Sequence, residues 1–340
     1  MLETINRIDF IDILKFLSAF MIIIYHFSEF GVFDYGYETN SIYYPGLGKT
    51  LLGLCSASVP LFFLINGFLT INKKYSLKKI LFKVLSIIKV YFIWGFIICF
   101  FLNIKNLTFV SILNSFRADL GWFWFLKTLA FLYIFNYIFN HLSNKDFWGK
   151  LIIILLLIYP FATNLLWVFL AFFNPNIVIP AWGITGLFTL YSLVYYLSSK
   201  YFSKNLNILT CIILIILGLI LNYFEVFVYS NIFKRIQDNV NAFFPTYAAL
   251  FITLGIWNIF RNIKFNFSTT IFGNFICYIG KNALGIYILH IPIILFFRRF
   301  ITGTLTGLEG ILICLLILFL ATSISSLIKS IKPLGWLLKI

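Results

Sequence analysis

Polar and ionisable side chains lie along one side of the first apolar segment of the chain. When residues 7–29 are placed on a helix at about 100° per residue, these side chains fall within about 140° of arc. They are Asp12, Lys15, Ser18, Tyr25, His26 and Glu29. Lys15 and His26 are about 16 Å apart along the helix axis and almost eclipsed. A cation and an imidazole inside an apolar helix are costly to bury, and such residues are functional candidates by default.

An imidazole and an ammonium group in this arrangement suit acyl transfer. Moving an acyl group from a thioester to a hydroxyl needs a base, and imidazole, with an unperturbed pKa of about 6.5, suits that role near neutral pH. Lys15 near one membrane surface could hold a polyanionic donor, and His26 would then lie about halfway through the bilayer. Asp12 can pair with Lys15 and lower the cost of burying its charge. Alternatively, His26 is a structural residue that forms a hydrogen bond between helices.

The composition indicates an integral membrane protein. Hydrophobic residues make up 61% of the chain and charged residues only 11%, and the mean hydropathy is +0.99. A soluble domain carries about 25% charged residues. Continuous apolar runs favour helices over a barrel. We therefore predict an all-α transmembrane bundle, a single domain over residues 1–340, with about ten spans near 13–33, 51–71, 84–103, 121–140, 150–171, 182–198, 207–224, 241–260, 283–300 and 309–328.

The distribution of Lys and Arg predicts that both termini are cytoplasmic. The first inner loop would carry a dense lysine run, whereas the outer segments would hold only Lys49, Lys105, Arg117, Lys234, Arg235, Arg298 and Arg299. The net charge of +15 is then explained by topology and by attraction to the headgroups of the lipid bilayer, and it indicates no nucleic acid partner. The cysteine and histidine spacings predict neither a disulfide framework nor a metal site.

Four sequence blocks carry more than hydropathy. They are the Asp12–Lys15–His26 stripe, residues 59–69 with Asn66 and Gly67, residues 121–134 with Lys127, and residues 280–292 with Tyr287 and His290. Asn66 and Gly67 could serve helix packing or a polar lining. Lys127 could extend toward the membrane surface or pair with Glu29. His290 could act in the site, or it could satisfy a backbone carbonyl that Pro292 frees.

This set of blocks, in this order, resembles the acyltransferase 3 family of integral-membrane acyltransferases, which includes O-acetyltransferases of bacterial cell-surface polysaccharides. The family hallmark is Arg or Lys, ten residues, then His, as in Lys15 and His26. Its ninth-span pattern is matched by Tyr287 and His290. Its second- and fourth-span patterns, Ser-Gly-Phe and Trp-Phe-Leu, correspond here to residues 66–68, where Asn66 replaces Ser, and to residues 124–126.

Two further positions depart from the family pattern. Trp122 stands where many members have His. The Arg-x-x-Arg pair that often enters the third span is represented only by Lys83, with Ser86 in the second position.

The resemblance implies an O-acetyltransferase of the bacterial inner membrane. The donor would be acetyl-CoA or another acyl-CoA as a co-substrate, with no permanently bound cofactor. The acceptor would be a hydroxyl of a cell-envelope glycan or of its lipid-linked precursor. His26 would be catalytic, Lys15 and Lys83 would bind the donor, and the supporting or acceptor-side residues would be Asp12, Asn66, Lys127, Tyr287 and His290. The lysines around Lys83 could instead serve topology alone.

Two other classes of function compete with this interpretation. A transporter or flippase of glycan precursors would also be basic and polytopic, but it should show inverted repeats and spans broken near the midplane, which the sequence does not clearly show. A non-catalytic membrane scaffold would have no reason to keep Lys15 and His26 on one helix face. We further expect His290 to share a cavity with His26 but to lie about two helical turns away from it, without direct contact.

Overall fold

The computed structural model describes residues 2–29, 53–102, 108, 110, 123–174, 188–202, 206–233, 246–263, 270–301, 305, 307–331 and 334–338. Within these residues the regular structure is helical, with no β-strand. The elements are α1 (Leu2–Glu29), α2 (Ser58–Thr70), α3 (Leu77–Leu102), α4 (Trp124–His141), α5 (Lys145–Leu156), a π-helical turn (Leu157–Ala162), α6 (Thr163–Phe173), α7 (Phe188–Tyr201), α8 (Ile208–Phe233), α9 (Tyr247–Asn262), α10 (Ile271–Lys281), α11 (Ala283–Arg298), α12 (Gly307–Ser330) and a short 3₁₀ helix (Gly335–Leu338).

Each of the predicted spans overlaps a helix, but not every helix is long and apolar enough to cross a membrane by itself. Among the described residues, 5 helices meet that test, or 6 if the bent pair α10–α11 forms one span. They are Phe10–Ser28, Gly53–Thr70, Leu77–Phe100, Ile208–Glu225 and Leu308–Ser330. The prediction of an all-helical membrane protein is confirmed. The count of ten spans and the location of both termini stay predictions.

The first helix occupies the centre of the bundle. It packs against α2, α9, α10, α11 and α12. In the apolar part of α1, 72% of residues are buried, compared with 28% in α3 and 22% in α8. The outer helices instead expose large Leu, Ile and Phe side chains, as lipid-facing helices do. The helix that carries the predicted polar stripe is therefore largely shielded from lipid, as is the segment Gly53–Thr70, of which 78% is buried.

Helices α2 and α7 approach each other closely at Gly67. A Cβ atom added to Gly67 would lie 2.1 Å from the carbonyl oxygen of Tyr196 and 2.6 Å from Oγ of Ser199. Only glycine permits this approach. One turn away, the hydroxyls of Thr70 and Tyr196 form a hydrogen bond of 2.8 Å. Gly67 is therefore a packing position, and the preceding residue, Asn66, lies about 100° around α2 from it.

The chain turns sharply between α10 and α11. The two helices meet at 78°, with Asn282 at the corner. Both helices pack against α1, so the bend wraps the ninth apolar segment around the central helix. This corner positions one wall of the candidate site.

Candidate active site

The charged end of the site is the predicted ion pair on α1. Nζ of Lys15 lies 3.1 Å from Oδ1 of Asp12, and the Asp12 side chain is only 5% exposed. Gly280 of α10 rests directly on this turn of α1, since a Cβ atom there would lie 2.8 Å from the backbone oxygen of Asp12 and 2.9 Å from its Cβ. The glycine that opens the fourth sequence block therefore allows α10 to cover the ion pair.

The corner between α10 and α11 is held by hydrogen bonds to Asn282. Its Oδ1 accepts from Oγ of Ser325 and from Nζ of Lys329, each at 3.0 Å, and its Nδ2 donates to the carbonyl of Tyr278 at 3.0 Å. Lys329 also donates to the carbonyl of Lys281 at 3.0 Å. The bend thus has fixed partners on α12.

Lys329 adds positive charge to this region. It is close enough to Lys15 for the two ammonium groups to repel each other. Because Asp12 can neutralise only one of them, the region keeps an excess of positive charge, which favours an anionic ligand. The sequence analysis missed Lys329 and Asn282, since a lysine after a long apolar run resembles a topology signal. The Lys-Asn pair directly before an apolar segment is a sequence cue to the helix boundary.

A cavity of about 340 Å³ begins at Lys15 and extends between α2, α4 and the α10–α11 corner. It contains three of the predicted site residues, Lys15, Asn66 and Tyr287. Asn66 uses its Nδ2 to bond the carbonyl of Phe62 at 2.8 Å, and its side chain faces the cavity. The remaining lining is mainly apolar and consists of Phe62, Ile65, Leu69, Phe125, Leu129, Tyr133, Gly280, Lys281, Ala283 and Leu284.

Lys83 lies behind the wall of this cavity. Its Nζ is 4.7 Å from the ring centroid of Tyr133, which lines the cavity, and 5.8 Å from that of Tyr75. Such cation–π contacts hold an ammonium group without neutralising its charge. Tyr133 was not among the predicted site residues, because tyrosine in an apolar span is indistinguishable from ordinary packing by sequence.

The two histidines of the site are in contact. The ring centroids of His26 and His290 are 5.2 Å apart, and the His290 ring is 5.9 Å from that of Tyr287. His290 is only 2% exposed. Its Nδ1 lies 3.1 Å from the carbonyl oxygen of Ile286, so Nδ1 carries the hydrogen and donates. Nε2 is left as an acceptor, buried and without a partner in the described structure.

The expected offset of two turns between the histidines is wrong. That estimate placed the start of α11 at the membrane surface. Instead, α10 and α11 meet at 78° and both pack against α1, so residue counts along each helix do not give the relative depth of the two rings, which lie 5.2 Å apart. The carbonyl that Pro292 frees in a helix is that of Ile288, whereas His290 bonds Ile286. His290 therefore does not play the backbone role that was its structural alternative.

Lys127 is not brought to the cavity. Its side chain is exposed, and its Nζ lies 5.2 Å from the ring centroid of Tyr91 on α3. This agrees with the surface-directed alternative of the sequence analysis. The side chain of Glu29, its other predicted partner, lies outside the described residues, as does Trp122.

Comparison with known families decides the class of the protein. The family model of acyltransferase 3, described as an acyltransferase domain, matches residues 8–329, nearly the whole chain. The chain belongs to the acyltransferase 3 family. A search of curated proteins and a search of solved structures gave no match. This acyltransferase 3 protein is thus a multi-pass membrane acyltransferase.

In this acyltransferase 3 protein, the groups that can bind an anion and the groups that can accept a proton lie at opposite ends of the cavity. Positive charge is concentrated at Lys15, Lys281 and Lys329 at one end of the cavity. At the other end, Phe125 and Tyr287 pack together with ring centroids 5.0 Å apart, and Tyr287 touches His290. An anionic group can be held at the first end, while a proton can be accepted just beyond the second.

Proposed function

We propose that the protein transfers an acetyl group from cytoplasmic acetyl-CoA to a hydroxyl of a cell-envelope glycan or of its lipid-linked precursor. The observation that carries this proposal is the apolar cavity between the Lys15 ammonium and Tyr287, with the His26–His290 pair behind Tyr287. Acyl-CoA matches this cavity in charge and in shape. Its phosphates are anionic and suit Lys15, and its acyl-bearing arm is long and narrow enough for the apolar part. The membrane would be the bacterial inner membrane.

In the proposed reaction, His26 is the general base. It takes the proton from the acceptor hydroxyl as the hydroxyl oxygen bonds to the thioester carbonyl carbon. The carbon–sulfur bond then breaks, and the thiolate of CoA leaves with the proton that His26 releases. An O-acetyl ester and free CoA are formed, and no other reactant is required. Base catalysis of this kind typically contributes about 10²–10⁴-fold to the rate.

His290 would support His26 as a positioning residue. Its hydrogen bond from Nδ1 to Ile286 fixes the tautomer, so Nε2 presents a lone pair in a buried place beside His26. That lone pair can accept a hydrogen bond from an N–H of His26 or from the acceptor hydroxyl. Either bond would hold the reacting groups in a defined orientation, which is a large part of enzymatic rate enhancement.

On the donor side, Lys15 would bind a phosphate, and Asp12 would fix the direction of the ammonium group. Lys83 would contribute its charge from behind Tyr133. Asn66 offers a polar contact along an otherwise apolar wall, where the amide or carbonyl groups of the donor arm would need one.

The direct test of donor and acceptor is labelling. Membranes containing the protein are incubated with acetyl-CoA that is radiolabelled in the acetyl group, and the lipid-linked glycans are separated from proteins and free lipids. We expect base-labile label in the glycan fraction, because O-acetyl esters hydrolyse in alkali. Membranes without the protein are the control. Transfer of unlabelled glycan across the bilayer, without label in any glycan, would instead support a transporter and would overturn the proposal.

A further inference from the structure

A second cavity, of about 500 Å³, lies at the junction of α4 and α5. It shares no lining residue with the acyl-transfer cavity, and none of the proposed chemistry uses it. Its lining, among the described residues, is strongly polar and consists of Lys74, Asn140, Leu142, Asn144, Lys145, Asp146 and Phe147. Lys74 belongs to the loop after α2, and the other lining residues belong to the end of α4, the start of α5 and the turn between them.

The carboxylate in this cavity is already engaged. Asp146 accepts a short hydrogen bond from Nζ of Lys200, and the hydroxyl of Tyr201 donates to the same oxygen at 3.2 Å. The bond from Lys200 lowers the pKa of Asp146, so the pair stays ionised and mutually neutralised. Lys145 also acts on this carboxylate, but one carboxylate stands against the three ammonium groups of Lys74, Lys145 and Lys200, so the cavity keeps an excess of positive charge.

The two lysines have little else to bind. Nζ of Lys145 donates to Oδ1 of Asn140 at 3.3 Å, which is a neutral partner. Nζ of Lys74 has no hydrogen bond or ion pair within the part of the chain that the structure describes. Asn144, in the left-handed conformation with φ 55°, precedes α5 and makes no side-chain capping bond. The N–H groups of Phe147 and Trp148 already donate to the Asn144 carbonyl, and the positive end of the α5 dipole adds to the charge of the two lysines.

The rim of the cavity is apolar and lies at the end of two lipid-facing helices. Leu142 is 41% exposed, Phe147 is 60% exposed and Trp148 is 43% exposed. Exposed aromatic side chains at span ends mark the depth of the lipid headgroups. A soluble anion would gain nothing from such a rim, whereas a lipid could bind its phosphate to the lysines and lay its chains along the rim.

We propose that this cavity binds the phosphate of an anionic membrane lipid. Such a lipid would also hold together α2 and α4, two of the helices that line the acyl-transfer cavity. Asn140 donates to the carbonyl of Ile71 at 3.0 Å, and Asn136 donates to that of Thr70 at 3.2 Å. These bonds hold the end of α2 against α4, directly beside Lys74. Lipid binding therefore stabilises the fold at the base of the acyl-transfer site.

The test measures the midpoint of thermal unfolding of the purified protein in detergent. Phosphatidylglycerol is added to one sample, phosphatidylcholine with the same chains to a second, and inorganic phosphate to a third. We expect the midpoint to rise with phosphatidylglycerol only, because a ligand that binds the folded state stabilises it by mass action. An equal rise with inorganic phosphate, or with phosphatidylcholine, would overturn the proposal.

Lysine variants test whether the stabilisation by phosphatidylglycerol arises at this cavity. The double variant Lys74→Gln/Lys145→Gln should need roughly tenfold or more phosphatidylglycerol for the same rise, since each lysine contributes to headgroup attraction. Lys150→Gln, exposed on α5 and outside the cavity, is the matched control and should respond as wild type. Native mass spectrometry, which counts retained lipids, gives a second readout if the double variant is less stable at the start. Full lipid retention by the double variant would contradict the site.

Discussion

The imidazole rings of His26 on α1 and His290 on α11 lie 5.2 Å apart, between ring centroids, in the interior of the bundle. His290 is thus one group that can orient His26, and the tautomer of His290 is set by its hydrogen bond to the Ile286 carbonyl. His26 belongs to the Lys15–His26 pattern of the first helix, and His290 belongs to the Tyr287–His290 pattern of the ninth segment. Their contact brings these two sequence patterns together.

The role of His290 can be separated from simple packing by two substitutions. His290→Asn can keep the bond to Ile286 but has no group at the position of Nε2, whereas His290→Gln places a polar group near that position. If Nε2 positions His26, kcat should fall by about 10²-fold in the Asn variant and less in the Gln variant, with the donor KM unchanged. Equal kcat values for the two variants, with equal thermal stability, would contradict the positioning role.

Lys15 is expected to bind the donor, but Lys15→Ala alone would leave the buried carboxylate of Asp12 unpaired. The informative comparison is therefore between Asp12→Asn and the double variant Asp12→Asn/Lys15→Ala. The double variant should raise the KM for acetyl-CoA by roughly tenfold or more, because it loses a charge-assisted hydrogen bond to phosphate. Asp12→Asn, which keeps the ammonium group, should change the KM much less. Similar KM values in both variants would exclude a donor role for Lys15.

Gly280→Ala tests whether the close contact between α10 and α1 matters. The added Cβ would lie 2.8 Å from a backbone oxygen of α1, so a helix must shift, at a cost of about 1–3 kcal/mol in the free energy of unfolding. Gly53→Ala is the matched control, because its Cβ would meet only side-chain atoms, at 3.0 Å and 3.1 Å. The thermal midpoint should fall clearly for Gly280→Ala and little for Gly53→Ala. An unchanged midpoint for Gly280→Ala would show that the two helices are free to separate.

Much of the site could be predicted from the first helix alone, because its polar stripe contains both members of the Asp12–Lys15 ion pair and also His26. The pairing of Asp12 with Lys15 follows from their spacing on one helix face, and it is confirmed at 3.1 Å. The contact of His26 with His290 could not be predicted in the same way. It depends on how α10 and α11 pack against α1, and no local sequence pattern reports that tertiary packing.

Residues whose role depends on contacts with another helix could not be identified from the sequence either. Lys329 resembles any lysine at the end of a span, and only the bend at Asn282 gives it partners. The lengths of the spans posed a related difficulty. The described part of α7, Phe188–Tyr201, has 14 residues, fewer than the about 20 that cross a membrane, so hydropathy located the segment without showing whether it crosses.

The orientation of the chain remains a prediction from its Lys and Arg distribution. A fluorescent protein that matures only in the cytoplasm, fused after Ile340, should be bright, and alkaline phosphatase, which is active only outside, should be inactive at the same place. With the predicted even number of spans, the reverse fusion results would place Lys15 on the wrong side for a cytoplasmic donor. They would therefore contradict the donor assignment as well as the topology.

The central claim is that His26 is the base in acyl transfer, and its most direct measurement is the initial rate of acetyl transfer by His26→Gln in purified membranes. His141→Gln, which alters an exposed histidine at the end of α4, is the matched control and should retain the wild-type rate. At equal amounts of inserted protein and saturating acetyl-CoA, we predict a rate about 10²–10⁴-fold below wild type for His26→Gln. A rate within a few-fold of wild type would show that His26 does not take the proton.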